Sequence, residues 1–293
     1  MLRLRFDKGR EAMRGLASSL MLMCALAAAD ASAGVLDRTR ETGVFKIGYR
    51  TDAAPLSYQN DIGEPDGYSL DLCRVVASAV RQAAGVDKIA VQYVPVGTAD
   101  RFDALRDGRI DILCGSTSVT LDRRKQIDFS LVTFVDGASV LFREDGPHTF
   151  EELENHKVGV RARTTTERTL RRTLNELSVG AEVVPLRDHA DGLNQLESGE
   201  LAAYFADRAI LSNLLARSAI GNELRLSERF YTFERIALGL PLGDSEFRWV
   251  VDSALSELFR SDRILALFRA AFGVEVRPSD ILKTLFILNS LPN

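Results

Sequence analysis

Apolar positions along this chain fall into two alternating rhythms. Short runs at 44–49, 89–96, 110–114, 138–143, 157–160, 182–186, 201–205 and 236–240 are rich in Val, Ile, Leu and aromatic residues and read as strands. Between them the apolar spacing becomes helical. Over 68–84, Leu72, Val75, Val76, Ala79, Val80 and Ala83 share one face, and Gly85 supplies a stop. Thr98 is placed to cap a helix running to Asp107, and Thr120 to cap one beginning at Leu121. Thr149 followed by Glu152 makes a capping box. Further helical patterns run over 166–177, from about His189, and over 247–259, 263–272 and 280–288. Strand–helix alternation with short links predicts the α/β class with largely parallel sheets. No internal repeat and no Gly/Ser/Pro-rich linker marks a domain boundary.

The N-terminus breaks this pattern. Arg3, Arg5, Lys8, Arg10 and Arg14 precede an apolar run from Leu16 to Ala29, which ends at Ala31-Ser32-Ala33. A basic start, a short apolar stretch and an A-x-A site read as an export signal over residues 1–33, cleaved after Ala33. The expected location is periplasmic. Removal takes away five basic and three acidic residues and moves the net charge from −4 to −6. That balance argues against nucleic acid as a partner. Three cysteines and three histidines are too few for a disulfide scaffold or a multi-metal protein. Cys73 and Cys114 survive cleavage. Export permits a disulfide, but a helix position and a strand end are read here as two buried free thiols.

In open α/β sheets ligands bind beyond the carboxyl ends of the strands. Arg50, then Thr98 and Arg101, then Ser116, Ser118 and Arg123, then Thr164 and Thr165, then His189, then Asp207 follow successive predicted strands. Arginine forks match carboxylates, hydroxyls add donors, and an acid suits an ammonium. The implied ligand is small, with a carboxylate and an amine. Each residue alone has a plainer reading: Arg50 as a solvated surface group, His189 as a helix-start residue, Asp207 as a helix cap. Hydrolase elbows, zinc signatures, phosphate loops and dinucleotide fingerprints are missing from the sequence, and no cofactor is expected.

Several blocks resemble a known family. Gly43-Val44-Phe45-Lys46-Ile47-Gly48-Tyr49-Arg50, Pro55-Leu56-Ser57-Tyr58, Gly67-Tyr68-Ser69-Leu70-Asp71, Cys114-Gly115-Ser116-Thr117-Ser118, Asp122-Arg123-Arg124-Lys125, Asp188-His189-Ala190-Asp191 and Leu196-Glu197-Ser198-Gly199 are similar to those of solute-binding proteins for polar amino acids that serve ABC transporters, nearest the glutamate/aspartate branch. The resemblance implies two α/β lobes with mostly parallel sheets, 34–138 plus 238–293 and 139–237, closing on a ligand. It implies a monomer that delivers an acidic amino acid to an inner-membrane permease, with no catalysis. Arg123 with Ser116, Ser118 and Thr165 would clamp the ligand's α-carboxylate. Asp207 would hold the ammonium, and Arg50, Arg101, Thr98 and His189 the acidic side chain, with Tyr58 as a wall.

Three features depart from the family pattern. Thr98 and Ser118 are hydroxyl swaps. Arg163 stands where the family has Gly, which puts the following loop in question. The position of a relative's cysteine partner for Cys114 falls near Leu238. The residues leave two rivals: a cyclohexadienyl dehydratase-like enzyme on the same fold, for which His189 is the remaining acid–base candidate beside Asp207, and a partner of a sensor. The tail helix 280–288 is expected to pack back on the first lobe.

Overall fold

The computed structural model describes residues 34–292, and the expected export signal lies outside them. From Val35 onward the chain forms one compact unit. Its strands are β1 (Val44–Tyr49), β2 (Asp52–Ala53), β3 (Ser57–Gln59), β4 (Pro65–Asp66), β5 (Ala90–Pro95), β6 (Ile112–Cys114), β7 (Asp128–Asp136), β8 (Ala138–Arg143), β9 (Lys157–Arg161), β10 (Glu182–Leu186), β11 (Ala203–Asp207), β12 (Leu224–Leu226) and β13 (Glu234–Leu240). Its helices are α1 (Val35–Thr42), α2 (Tyr68–Ala83), α3 (Arg101–Arg106), α4 (Thr165–Glu176), α5 (His189–Glu197), α6 (Arg208–Arg217), α7 (Ser245–Phe259), α8 (Arg263–Phe272) and α9 (Asp280–Leu288).

Two lobes form around two five-stranded sheets, ordered β5-β1-β6-β13-β7 and β10-β9-β11-β8-β12. Each sheet is mixed. In the first, β13 runs against both its neighbours, and in the second, β8 does. Both faces of each sheet are covered. Phe45, Ile47 and Ile112 pack under α2, α7 and α8, while Leu113 and Ala237 face a second cluster around Leu105 and Ile110. In β8, Val140 and Phe142 enter one core and Leu141 the other. Strands buried on both faces carry unbroken apolar runs, which is why these segments show no polar alternation.

The chain passes between the sheets at Gly137, which separates β7 from β8, and returns into β13 at Glu234. The two crossings run side by side. A Cβ on Gly137 would lie 2.1 Å from the Thr232 carbonyl oxygen, so only glycine fits there.

The structure corrects several sequence expectations. Thr98 caps nothing: α3 begins at Arg101 with Asp100 at its N-cap position. Thr120 accepts from the Arg123 amide at 3.2 Å, but the segment is a single 3-10 turn, Arg123–Lys125. Cys73 and Cys114 are not free thiols but a disulfide with Cα atoms 6.4 Å apart. Helix α2 lies on β6, which brings the two within bridging distance. The tail helix α9 puts Leu282 and Phe286 into the core of the first lobe, and the Asn289 side chain donates to the Val132 carbonyl at 2.8 Å.

Candidate functional site

The two sheets present strand ends to one another. Arg161 and Asp207 end β9 and β11, and His189 opens α5 just after β10. On the facing lobe Arg50 follows β1, Arg101 opens α3, and Ser116 and Ser118 follow β6. The strand-end rule thus gathers most of the expected residues. Arg50, Arg101, Ser116, Ser118, Arg123, Thr165, His189 and Asp207 line one enclosed cavity, with Thr164, Thr166 and Ile210. Its volume of about 20 Å³ is room for roughly one water and far less than an amino acid occupies. Clefts of about 660 Å³ and 420 Å³ border it on either side, and His189 is shared with the first and Ser118 and Thr165 with the second. Thr98 is buried but does not line the cavity. Tyr58 is no wall of it either: it lines the larger outer cleft and donates to Asp66 at 3.1 Å.

The polar contacts cross from lobe to lobe. Ser116 donates to Asp207 Oδ2 at 3.0 Å. Ser118 and Thr165 hydroxyls lie 3.2 Å apart, and both donate to Glu234 Oε2. Arg123 donates through Nη1 to the Ser118 carbonyl at 2.7 Å. Its guanidinium and that of Arg101 lie over the Phe102 ring, 5.5 and 4.8 Å from the centroid. Arg101 is 2% exposed, and its Nε and Nη1 have no hydrogen-bond partner. Asp207 heads α6 without capping it, and its Oδ1 is also unpartnered. A buried polar atom without a partner is costly, so two such groups facing one cavity mark where a ligand's atoms belong.

Several site residues are not anticipated by the sequence reading. Asp52 accepts from Arg50 Nε at 2.8 Å and from Arg161 Nε at 2.7 Å. Asp136 accepts from the Gly137 amide at 2.8 Å and from the Ala209 amide at 3.2 Å, and is the β-ladder partner of Glu234. Asp207 is therefore not the lone acid of the site. Arg161 was within reach, since the strand-end rule places it one residue past the expected strand. Glu234 was not, because it opens β13, which runs antiparallel. Its amino end therefore shares an edge with its neighbours' carboxyl ends.

Burial and neighbours set the protonation of these groups. Burial, then Arg50, Arg123 and Arg161, press the Arg101 guanidinium well below its usual range. Burial brings Arg123 down to about 10 and His189 down to about 3, so His189 is neutral. Its Nδ1 lies 2.8 Å from the Tyr204 hydroxyl. Burial, then Glu234 and Asp136, raise Asp207 well above the usual carboxylate range, and burial raises Asp136 to about 7. Burial alone would raise Asp52, but the Arg50 and Arg161 guanidiniums outweigh it and bring it to about 2.

Arg163 adopts φ +61°, the left-handed conformation that favours glycine. The loop keeps its turn because Glu167 accepts from the Arg163 amide at 2.8 Å and Thr164 accepts from the Glu167 amide at 3.0 Å.

This arrangement, two sheets joined twice by the chain with a polar cavity between their strand ends, has a counterpart among known proteins. The model of the bacterial extracellular solute-binding proteins, family 3, matches residues 45–274. The chain belongs to that family. Relatives within reach include an L-glutamate/L-aspartate-binding protein of Pseudomonas aeruginosa, 29% identical over 262 residues covering 89% of this chain and 87% of that one. A glutamate/aspartate import solute-binding protein of Escherichia coli is 27% identical over 279 residues, covering 95% and 92%. Among solved structures, a substrate-binding protein of an ABC uptake transporter from Streptococcus pneumoniae with bound histidine matches with a TM-score of 0.73 at 18% identity, covering 83% of this chain and 97% of that one. An ancestral amino-acid-binding protein, a precursor of cyclohexadienyl dehydratase, matches with a TM-score of 0.69 at 22% identity, covering 82% and 100%. Both likenesses establish the two-lobed fold of the family.

Proposed function

We propose that this protein is the periplasmic substrate-binding component of an ABC importer and binds an acidic amino acid, L-glutamate or L-aspartate. It captures the ligand between two lobes, 34–138 with 238–293 and 139–237, which part about the crossings at Gly137 and Glu234 and close again. Export by the segment 1–33 would bring it to its permease. The observation that carries the reading is the pair of unmet groups in one cavity: Arg101 Nε and Nη1, and Asp207 Oδ1. An α-amino acid with a side-chain carboxylate satisfies both. Its ammonium meets Asp207 and Ser116, its α-carboxylate meets Arg123, Ser118 and Thr165, and its side-chain carboxylate meets Arg101 beside Arg50 and His189.

Charge supports the same ligand. Four guanidiniums (Arg50, Arg101, Arg123 and Arg161) stand among four carboxyl groups, of which burial pushes Asp136 toward its protonated form and Asp207 is raised until an ammonium faces it. The site is left short of negative charge, and a dicarboxylate supplies it. An enzyme on the same fold would need a proton donor or acceptor at neutral pH. Neutral His189 is held on Tyr204, Asp136 is engaged by two backbone amides and Asp207 faces the ligand's ammonium, and the relatives with whole-chain similarity are binding proteins. Calorimetric titration of the protein, freed of ligand by unfolding and refolding with its disulfide intact, tests the reading. Glutamate or aspartate is expected to bind at least about tenfold more tightly than glutamine or asparagine. Equal affinities would remove the acidic assignment.

A further inference from the structure

Asp52 sits two residues past Arg50, in the first lobe, and both its carboxylate oxygens are engaged. One accepts from Arg50 through Nε at 2.8 Å and through Nη2. The other accepts from Arg161 Nε at 2.7 Å, across to the second lobe and 109 residues along the chain. The three side chains are 10%, 3% and 11% exposed, so these are desolvated pairs and not surface contacts. Arg123 is turned to the Ser118 carbonyl. Arg101 holds two buried nitrogens with no partner.

We infer that Asp52 is a specificity-determining residue: by occupying Arg50 and Arg161 with its own carboxylate, it withdraws both from the ligand and leaves Arg101 to receive the ligand's second carboxylate. This rests on the reading of the protein as a binder of an acidic amino acid. Asp52 lies in the outer cleft and not in the cavity lining, so it neutralises the cavity-lining Arg50 from that side. The site is thereby tuned to one side-chain carboxylate, since Arg50 enters the cavity with its charge already met by Asp52. The same carboxylate ties the lobes together when they are closed.

The test is the ratio of dissociation constants for L-glutamine and L-glutamate, measured by calorimetry on the wild type, Arg101→Met, Asp52→Asn and the double variant. In the wild type the ratio favours glutamate. In Arg101→Met it is expected to fall to within about threefold of one. In Asp52→Asn, which keeps the shape and removes the charge, Arg50 is released and the ratio rises at least about fivefold. In the double variant the released Arg50 replaces Arg101, and the preference for glutamate returns. A purely structural role for Asp52 would weaken both ligands alike and could not restore a preference lost elsewhere. Retention of the wild-type ratio in Arg101→Met, or no recovery in a folded double variant, overturns the inference. If the double variant does not fold, an unchanged ratio in Asp52→Asn overturns it and a raised one supports it. A wild-type ratio of one instead overturns the functional reading itself, so the two failures are distinct.

Discussion

The Cys73–Cys114 bridge offers a prediction whose size follows from the chain. It joins α2 to the end of β6, just before the Ser116–Ser118 loop, and closes a segment with a sequence separation of 41. In the chain-entropy account, a loop of that length removes about 13 cal/mol/K from the unfolded ensemble, or about 4 kcal/mol at 25 °C. Both cysteines are fully buried, so replacement by alanine adds only a small packing loss. Cys73→Ala/Cys114→Ala should therefore be less stable by about 3–4 kcal/mol in urea unfolding, with an m-value that rises as the unfolded chain loses its cross-link. At the size of this protein that lowers the melting temperature by roughly 6–16 °C. The wild type with its disulfide reduced should unfold at nearly the same midpoint as the double variant. Two free thiols in the oxidised protein, or a stability loss under about 1 kcal/mol, would refute the reasoning.

Three further outcomes follow from named groups. Neutral His189, at about 3 in the fold against 6.5 unfolded, contributes stability that is present above 6.5 and lost as pH falls toward 3. Asp136, raised to about 7 from 3.8, acts in reverse: its contribution is present below 3.8 and lost as pH rises to 7. The stability of wild type relative to His189→Gln should therefore grow from pH 4 to 6.5, and relative to Asp136→Asn should shrink from pH 4 to 7, by at most about 1.4 kcal/mol per pH unit; flat differences in urea titrations would contradict both. Arg163→Gly relieves a left-handed residue costing about 1–2 kcal/mol and adds about 0.5–1 kcal/mol of chain entropy, so thermal melts should show it neutral or slightly stabilised, while Arg163→Val is destabilised. Gly192→Ala would put a Cβ 2.4 Å from the buried Tyr204 ring and displace the hydroxyl beside His189; a loss of about 1–3 kcal/mol in unfolding is expected, together with weaker glutamate binding by calorimetry.

The sequence made the architecture legible because strands buried on both faces leave long apolar runs, and because helices with one buried side, such as α2, carry their period openly. What it hid was polarity of direction. Nothing in Glu234-Arg235-Ile236-Ala237 says that β13 runs backwards, so an acid at its start was invisible as a site residue. Strand β7 was missed because Asp128, Ser130, Thr133 and Asp136 interrupt its apolar run, and Asp136 went with it. Cys73 and Cys114 were legible as buried and not as paired, since pairing depends on how α2 lies over the sheet. Arg50 was found correctly at its strand end, but its bond to Asp52, two residues away, belongs to the turn into β2 and leaves no periodic trace.

The enclosed cavity also fixes how occupancy must change with time. A space of about 20 Å³, lined from both lobes, is too small to hold an amino acid as the lobes stand. If the lobes close on a ligand as proposed, a bound molecule leaves only after an opening event, so an excess of competing ligand in solution cannot hasten its departure. Dissociation of every ligand then shares one ceiling, the frequency of that opening, and differences in affinity above the ceiling come from how often reclosure traps the same molecule again.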